Sequence, residues 1–172
     1  MEDNNTAEYW INKLDLFPHP GLETGYLNEV FRDPHLVTGI SGQDRNAGTN
    51  IYFLHKAAPP LNEQTVFFRM KNSELLHFYR GRSLDLLFMP NPKSDQIETL
   101  KLGPKIEEGE KYFHALPRNR WFVRRLEIEA GENPEDPKIY SLIGCTVVPG
   151  YHPEDIETKT LGEIRQELAR NV

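Results

Sequence analysis

Residues 65–89 read TVFFRMKNSELLHFYRGRSLDLLFM, and this stretch decides the fold class. It holds three runs rich in aromatic and branched side chains: Thr65–Met70, Leu75–Tyr79 and Leu84–Met89. Each has the length of a strand and is too short to stand as a helix. Asn72-Ser73 parts the first run from the second, and Pro90-Asn91-Pro92 stops the third. Such side chains favour turns because they bond their own backbone or fix φ.

The same grammar extends outward. Gly25–Phe31 and Asn50–His55 precede the stretch; Lys111–Leu116, Arg120–Ile128 and Tyr140–Val148 follow it. Asn46-Ala47-Gly48, Pro59-Pro60, Gly103-Pro104, Pro117-Arg118-Asn119 and Gly131-Glu132-Asn133-Pro134 punctuate them. About eight short strands with turns this frequent predict an all-β sandwich or barrel, jelly rolls included. Long crossover helices are missing, which argues against a parallel α/β sheet. Helices are expected only at the two ends. Thr6–Leu14 opens on a capping threonine and sets Trp10 and Leu14 one turn apart. Thr160–Arg170 carries a capping box, Thr160 with Glu163, and an apolar stripe of Leu161, Ile164 and Leu168. The polar, Pro-rich stretch Ala130–Lys138 reads as the most mobile loop.

The 172 residues suit one domain, with a core over about 17–151. A net charge of −6 disfavours nucleic acid as a partner. The densest basic stretch, Arg118, Arg120, Arg124 and Arg125, is followed at once by Glu127 and Glu129 and reads as a pocket rim or solvated strand face. Cys145 is the single cysteine, so no intramolecular disulfide can form and a reducing compartment is the simpler setting. Met1–Ala7 has no apolar signal-peptide core, and no apolar run reaches membrane-spanning length. A cytoplasmic protein with no membrane association is expected.

Three segments together resemble the small cupin family DUF985. Phe17-Pro18-His19-Pro20 followed by Gly25-Tyr26, Glu29 and Arg32 is similar to its PHPxGGYxxExxR opening, with Gly21, Leu22 and Glu23 lengthening the turn. Residues 49–54 (TNIYFL) and 73–81 (SELLHFYRG) form the second segment, and residues 140–151 (YSLIGCTVVPGY) resemble the closing strand. The resemblance covers roughly Trp10 to Glu157. It implies a cupin jelly roll with short terminal helices, and a homodimer, which also suits a fold that must cover an edge strand.

A cupin usually carries two histidines two apart, then a glutamate, six residues and a glycine, with a third histidine on a later strand. Glu74 with Gly81 reproduces the glutamate-to-glycine spacing. The histidine positions fall near Phe68 and Met70, and Phe122 aligns with the third. Relatives in the family often keep a histidine where Phe68 stands. One usual ligand of the set therefore survives, and a lone carboxylate holds a transition metal weakly. Neither a metal nor another cofactor is expected.

Period two indicates what replaced such a site. With Glu74 facing the interior, Leu76 and Phe78 share its face while His77 and Tyr79 turn away. Val66, Phe68 and Met70 share one face, and Phe122, Arg124 and Leu126 another. The interior is then an apolar pocket holding Glu74 and Arg124, and a buried carboxylate needs such a partner. Glu74 also reads as a structural ion-pair member with Arg124 or Arg32. Glu29 and Arg32 stand three apart on an extended segment and are expected on opposite faces. Cys145 reads as an inert buried thiol and His19 as structural.

Glu74, Arg124, Glu29 and Tyr52 are the candidate catalytic residues. Phe68, Met70, Leu76, Phe78, Phe122, Arg32 and Tyr26 are the candidate contacts to a small organic ligand. An apolar pocket with convergent polar groups suits a metal-independent isomerase, epimerase or cyclase working by acid–base chemistry, with Glu74 as base. The alternatives are a binding protein without turnover, and a metal-dependent oxygenase or decarboxylase in which Glu74 meets His77 or His114. Period two sets His77 opposite Glu74, against the last of these.

Overall fold

The computed structural model describes residues 3–22, 24–91 and 93–170. Glu23 of the lengthened turn and Pro92 of the proline turn lie outside the described residues. Two sheets face each other. One has six strands in the order β1 (Phe17–Pro18), β2 (Gly25–Arg32), β5 (Thr49–Lys56), β12 (Tyr140–Val148), β7 (Ser73–Gly81) and β10 (Phe113–Leu116). The other has five: β13 (Ile156–Thr160), β6 (Val66–Met70), β11 (Trp121–Arg125), β8 (Leu84–Phe88) and β9 (Glu98–Leu102). A short hairpin, β3 (Leu36–Thr38) with β4 (Asp44–Asn46), stands beside them. The pairings within the two large sheets are all antiparallel, and apart from β1–β2 and β8–β9 the neighbours are not consecutive in sequence, as in a jelly roll.

The expected strand runs form, with ends moved by a residue or two at most positions. Lys111–Leu116 shortens to Phe113–Leu116 and Arg120–Ile128 to Trp121–Arg125. Five strands had no signal in the sequence: β1, β3, β4, β9 and β13. They are short or polar. Glu98–Leu102 (ETLKL) is mostly polar and pairs along the edge of Leu84–Phe88.

Why runs such as Val66–Met70 are apolar on both sides is visible in the layering. Inward residues of both sheets, including Phe68, Leu86 and Phe122 from one and Phe53, Leu76 and Ile143 from the other, form the central core. Outward residues Phe67, Leu87, Trp121 and Val123 are capped by Leu161 and Ile164 of α2 (Leu161–Arg170). On the far side, Leu54, Tyr140 and Leu142 pack beneath Ala7 of α1 (Ala7–Lys13) and Leu16. Strands covered on both faces lose polar alternation. The capping box forms as expected, Thr160 N–H donating to Glu163 Oε2 at 2.7 Å and Glu163 N–H to Thr160 Oγ1 at 3.2 Å.

The stretch 130–138 is a chain of turns, but it is tied down. Both oxygens of Glu132 accept from Arg82, at 2.8 and 2.5 Å, and Glu129 N–H donates to Glu132 Oε2 at 2.8 Å. Among the described residues no helix is long and apolar enough to cross a membrane.

Candidate functional site

A cavity of about 270 Å³ opens between the sheets at one end. Antiparallel pairing sets Phe122 of β11 opposite Phe68 of β6, so both rings enter the same wall. Met70 and Ile156 extend that wall. The other sheet contributes Glu74 from β7, Cys145 and Val147 from β12, Thr49, Ile51 and Phe53 from β5, and Leu27 and Glu29 from β2. Phe17 of β1, with His19 and Tyr151 from the neighbouring loops, completes the lining.

The charged core of the site is one ion pair. Arg124 Nη1 donates to Glu74 Oε1 at 2.8 Å, with the two side chains 9% and 5% exposed. The same nitrogen lies 3.0 Å from Cys145 Sγ. The guanidinium is also placed over the rings of Phe53 and Phe122, 4.7 and 5.8 Å from their centroids. Burial works against the Arg124 charge, yet Glu74 and Cys145 more than offset it, and the pKa rises above its ordinary value. Glu74 Oε2 is buried and, among the described residues, has no hydrogen-bond partner. Burial pushes the Cys145 thiol well above its ordinary value, with Arg124 opposing and the neighbouring Glu74 carboxylate adding to the rise.

Two histidines flank the pair. Burial, then the Arg124 charge, hold His19 below its ordinary pKa. His55 is fully buried and stacked on Phe53 with centroids 4.4 Å apart. Its pKa lies well below 6.5, from burial first and then from Arg124 and His19.

At the rim Arg32 grips Glu29 with two bonds of 2.7 Å and adds Asn46 Oδ1 at 2.8 Å. The expected opposite faces are corrected here. The register of β2 against β5 shifts between Glu29 and Phe31, so Glu29 opposes Ile51 and Arg32 opposes Thr49. The bulge adds one residue, and two positions three apart then share a face.

Of the candidate residues, Glu74, Arg124, Glu29, Phe68, Met70 and Phe122 line the cavity. Arg32 reaches it only through Glu29. Leu76 and Phe78 face inward but lie deeper, in the central core. Tyr52 and Tyr26 are corrections. Both point to the outer face, under α1 and Leu16, because they alternate with the inward Ile51, Phe53 and Leu27. Tyr52 packs on Tyr79 with centroids 5.9 Å apart, and Tyr26 carries Lys56 over its ring. Neither can touch a ligand in the cavity. Phe53, Ile51, Cys145 and His19 belong to the lining instead. Period two on residues 49–54 would have found Ile51 and Phe53; His19 sits in a turn, where periodicity carries no signal.

The fold implies a metal at the Phe68, Met70, Glu74 and Phe122 positions, and these residues do not fit one. Three offer no strong ligand atom. The fourth, Glu74, has one oxygen held by a guanidinium whose own charge would repel a cation. Among the described residues no three His, Cys, Asp or Glu side chains converge as a ligand set.

Comparison with known proteins is consistent with this architecture. A hypothetical protein from Leishmania major superposes with a TM-score of 0.73 at 31% identity, over 88% of this chain and 86% of that one. A protein from Shewanella oneidensis gives 0.69 at 25% identity, over 95% and 93%. No curated protein sequence matches the chain. The family model described as the cupin superfamily (DUF985) matches residues 8–159. With the barrel, the cavity and the Glu74 position in place, the chain belongs to this DUF985 family of the cupin superfamily.

Proposed function

We propose that the protein is a small-molecule enzyme of the isomerase type, using Glu74 as its base and Arg124 as its electrostatic stabiliser. One observation carries the reading. A buried carboxylate in an apolar cavity keeps Oε2 without a partner, while Oε1 is held by a buried guanidinium. Most buried ion pairs leave no oxygen over, so a leftover carboxylate oxygen beside a cavity marks Glu74 as a candidate for chemistry.

The chemistry follows from the two charges. Glu74 takes a proton from a carbon next to a carbonyl: the C–H bond breaks, an O–H bond forms on the carboxyl, and the electron pair moves to the carbonyl oxygen. Arg124 stabilises the resulting enolate. In a substrate with a hydroxyl on that α-carbon, the hydroxyl proton passes to the enolate oxygen and the α-carbon becomes the new carbonyl, while Glu74 returns its proton to the former carbonyl carbon from the same face. Tyr52, outside the cavity, cannot protonate the opposite face. That favours a one-base isomerisation over epimerisation.

The competing reading, binding without turnover, draws on the same fact: Tyr52, a candidate catalytic residue, lies outside the cavity. Exchange decides between them. A panel of small carbonyl compounds is incubated with the protein in D₂O, and deuterium at the α-carbon is followed by NMR. Wild-type wash-in that Glu74→Gln abolishes, with the fold intact by circular dichroism, supports the enzyme. Equal rates in the variant sink it, and binding with no exchange by the wild type selects the binding protein.

A further inference from the structure

The outer face of the six-stranded sheet is covered at one end, where α1 packs on Leu54, Tyr140 and Leu142. Further along, two rows of outward residues stand abreast across β2, β5, β12, β7 and β10. Phe31, Asn50, Thr146, Leu75 and Ala115 form one row. Asn28, Tyr52, Gly144, His77 and Phe113 form the next. They alternate with Ile51, Glu74 and Cys145, which line the cavity, so they point away from it.

None of these described positions is Asp, Glu, Lys or Arg, in a chain where such residues make up 27%. Tyr79 lies across Gly144 on the same face. Phe31, Tyr79 and Phe113 are 52, 47 and 45% exposed. A sheet face left to water normally carries polar and charged side chains. The outer side of the five-stranded sheet does so, with the ion pairs Arg69–Glu157 and Lys101–Asp85. On the six-stranded sheet the side-chain amides are already used. Asn50 Nδ2 donates to Thr146 Oγ1 at 2.7 Å and Asn28 Nδ2 to Leu14 O at 3.0 Å, so both can leave water at little cost.

We propose that this face binds its counterpart on a second copy of the chain, the two sheets stacking face to face. A sheet face of this width is met most fully by another sheet about 10 Å away, and the chain supplies one. Each copy carries −6, so two copies repel except where neither presents a charge. Strand spacing and rise give a footprint of roughly 500 Å² per copy, or about 1,000 Å² buried in all, the least that a specific interface needs. A two-fold contact of one face with itself closes at two chains. Leu75 follows Glu74 in β7, so the partner braces the strand that carries the carboxylate. Association through this face requires no chemistry in the cavity.

Sedimentation velocity on the full chain tests this. The wild type should run at twice the mass of one chain at about 20 μM. Ala115→Glu and Phe113→Glu each put an unpaired carboxylate into the contact. Each should weaken the dimer at least about a hundredfold and leave monomer, with the fold intact by circular dichroism. Thr99→Glu, at an exposed position of β9 on the other sheet, should stay dimeric. Hydroxyl-radical labelling of the wild type needs no variant to fold. Phe113 and Phe31 should be labelled several-fold more slowly than Phe17, which lies off this face and is 50% exposed in one chain. A monomeric wild type overturns the pairing and leaves the face to a different protein. A dimer that survives both glutamates, dissociation by Thr99→Glu as well, or Phe113 and Phe31 labelled as fast as Phe17 each overturns it too.

Discussion

Arg124 and Glu74 stand on opposite sheets and meet at 2.8 Å across the barrel, so one hydrogen bond ties the two layers and charges the cavity at once. Removing one partner strands the other charge in an apolar site. Arg124→Met should cost about 3–5 kcal/mol in urea unfolding. The double variant Glu74→Gln/Arg124→Met should cost less than Arg124→Met alone, because no orphan carboxylate remains. Additive losses would show the two residues to be uncoupled.

Cys145 lies against that pair, with a thiol whose pKa burial has raised. Thiolate is the reactive form, so the native protein should resist Ellman's reagent at pH 8 and react only at the rate of unfolding. A fast stoichiometric reaction before unfolding would contradict the buried placement.

His55 gives stability a pH dependence. Its folded pKa is depressed from 6.5, chiefly by burial, so as pH falls the unfolded chain takes up the proton first. The stability it contributes is full above about pH 6.5 and is lost as pH drops through and below that value, at up to about 1.4 kcal/mol per pH unit. Paired carboxylates such as Asp155 and Glu132 are lost only at lower pH, since their partners hold them below the usual carboxylate range. Urea melts from pH 7 to 5 should show the slope, and His55→Phe should flatten it. An unchanged slope would place its source elsewhere.

Two strand glycines should differ in tolerance. A Cβ at Gly144 would meet the Tyr79 ring, its Cζ at 2.7 Å, but that half-exposed side chain can swing off Tyr52. Gly144→Ala should cost about 0.5–1.5 kcal/mol, the worth of an aromatic pair. Gly81 has φ +94° and a Cβ there would press on the Tyr140 backbone, which cannot swing. Gly81→Ala should be the costlier of the two by thermal melting. The reverse order would mean that the Tyr52–Tyr79 contact is rigid.

Much of the fold was legible in residues 65–89 and their flanks because strand periodicity and turn chemistry are local. The inward set Phe68, Met70, Glu74, Phe122 and Arg124 followed from period two alone. Where local rules broke, the reading broke with them. The bulge at Val30 carried Arg32 back onto the face of Glu29, and no side chain in that stretch announces a bulge. Tyr52 alternates with Ile51 and Phe53, so it does not share their face, and its residue type alone misplaces it.

By itself the sequence determined an all-β barrel with helical ends and a carboxylate where a metal ligand set is otherwise spent on apolar side chains. Backbone periodicity and residue chemistry suffice for that, since both are properties of neighbours along the chain. Only the tertiary structure decided that Oε2 of Glu74 is left over, that Cys145 and Phe53 frame Arg124, and that a turn histidine joins the wall. Those facts depend on which strands lie side by side, and β5, β12 and β7 become neighbours through pairing between segments distant in sequence.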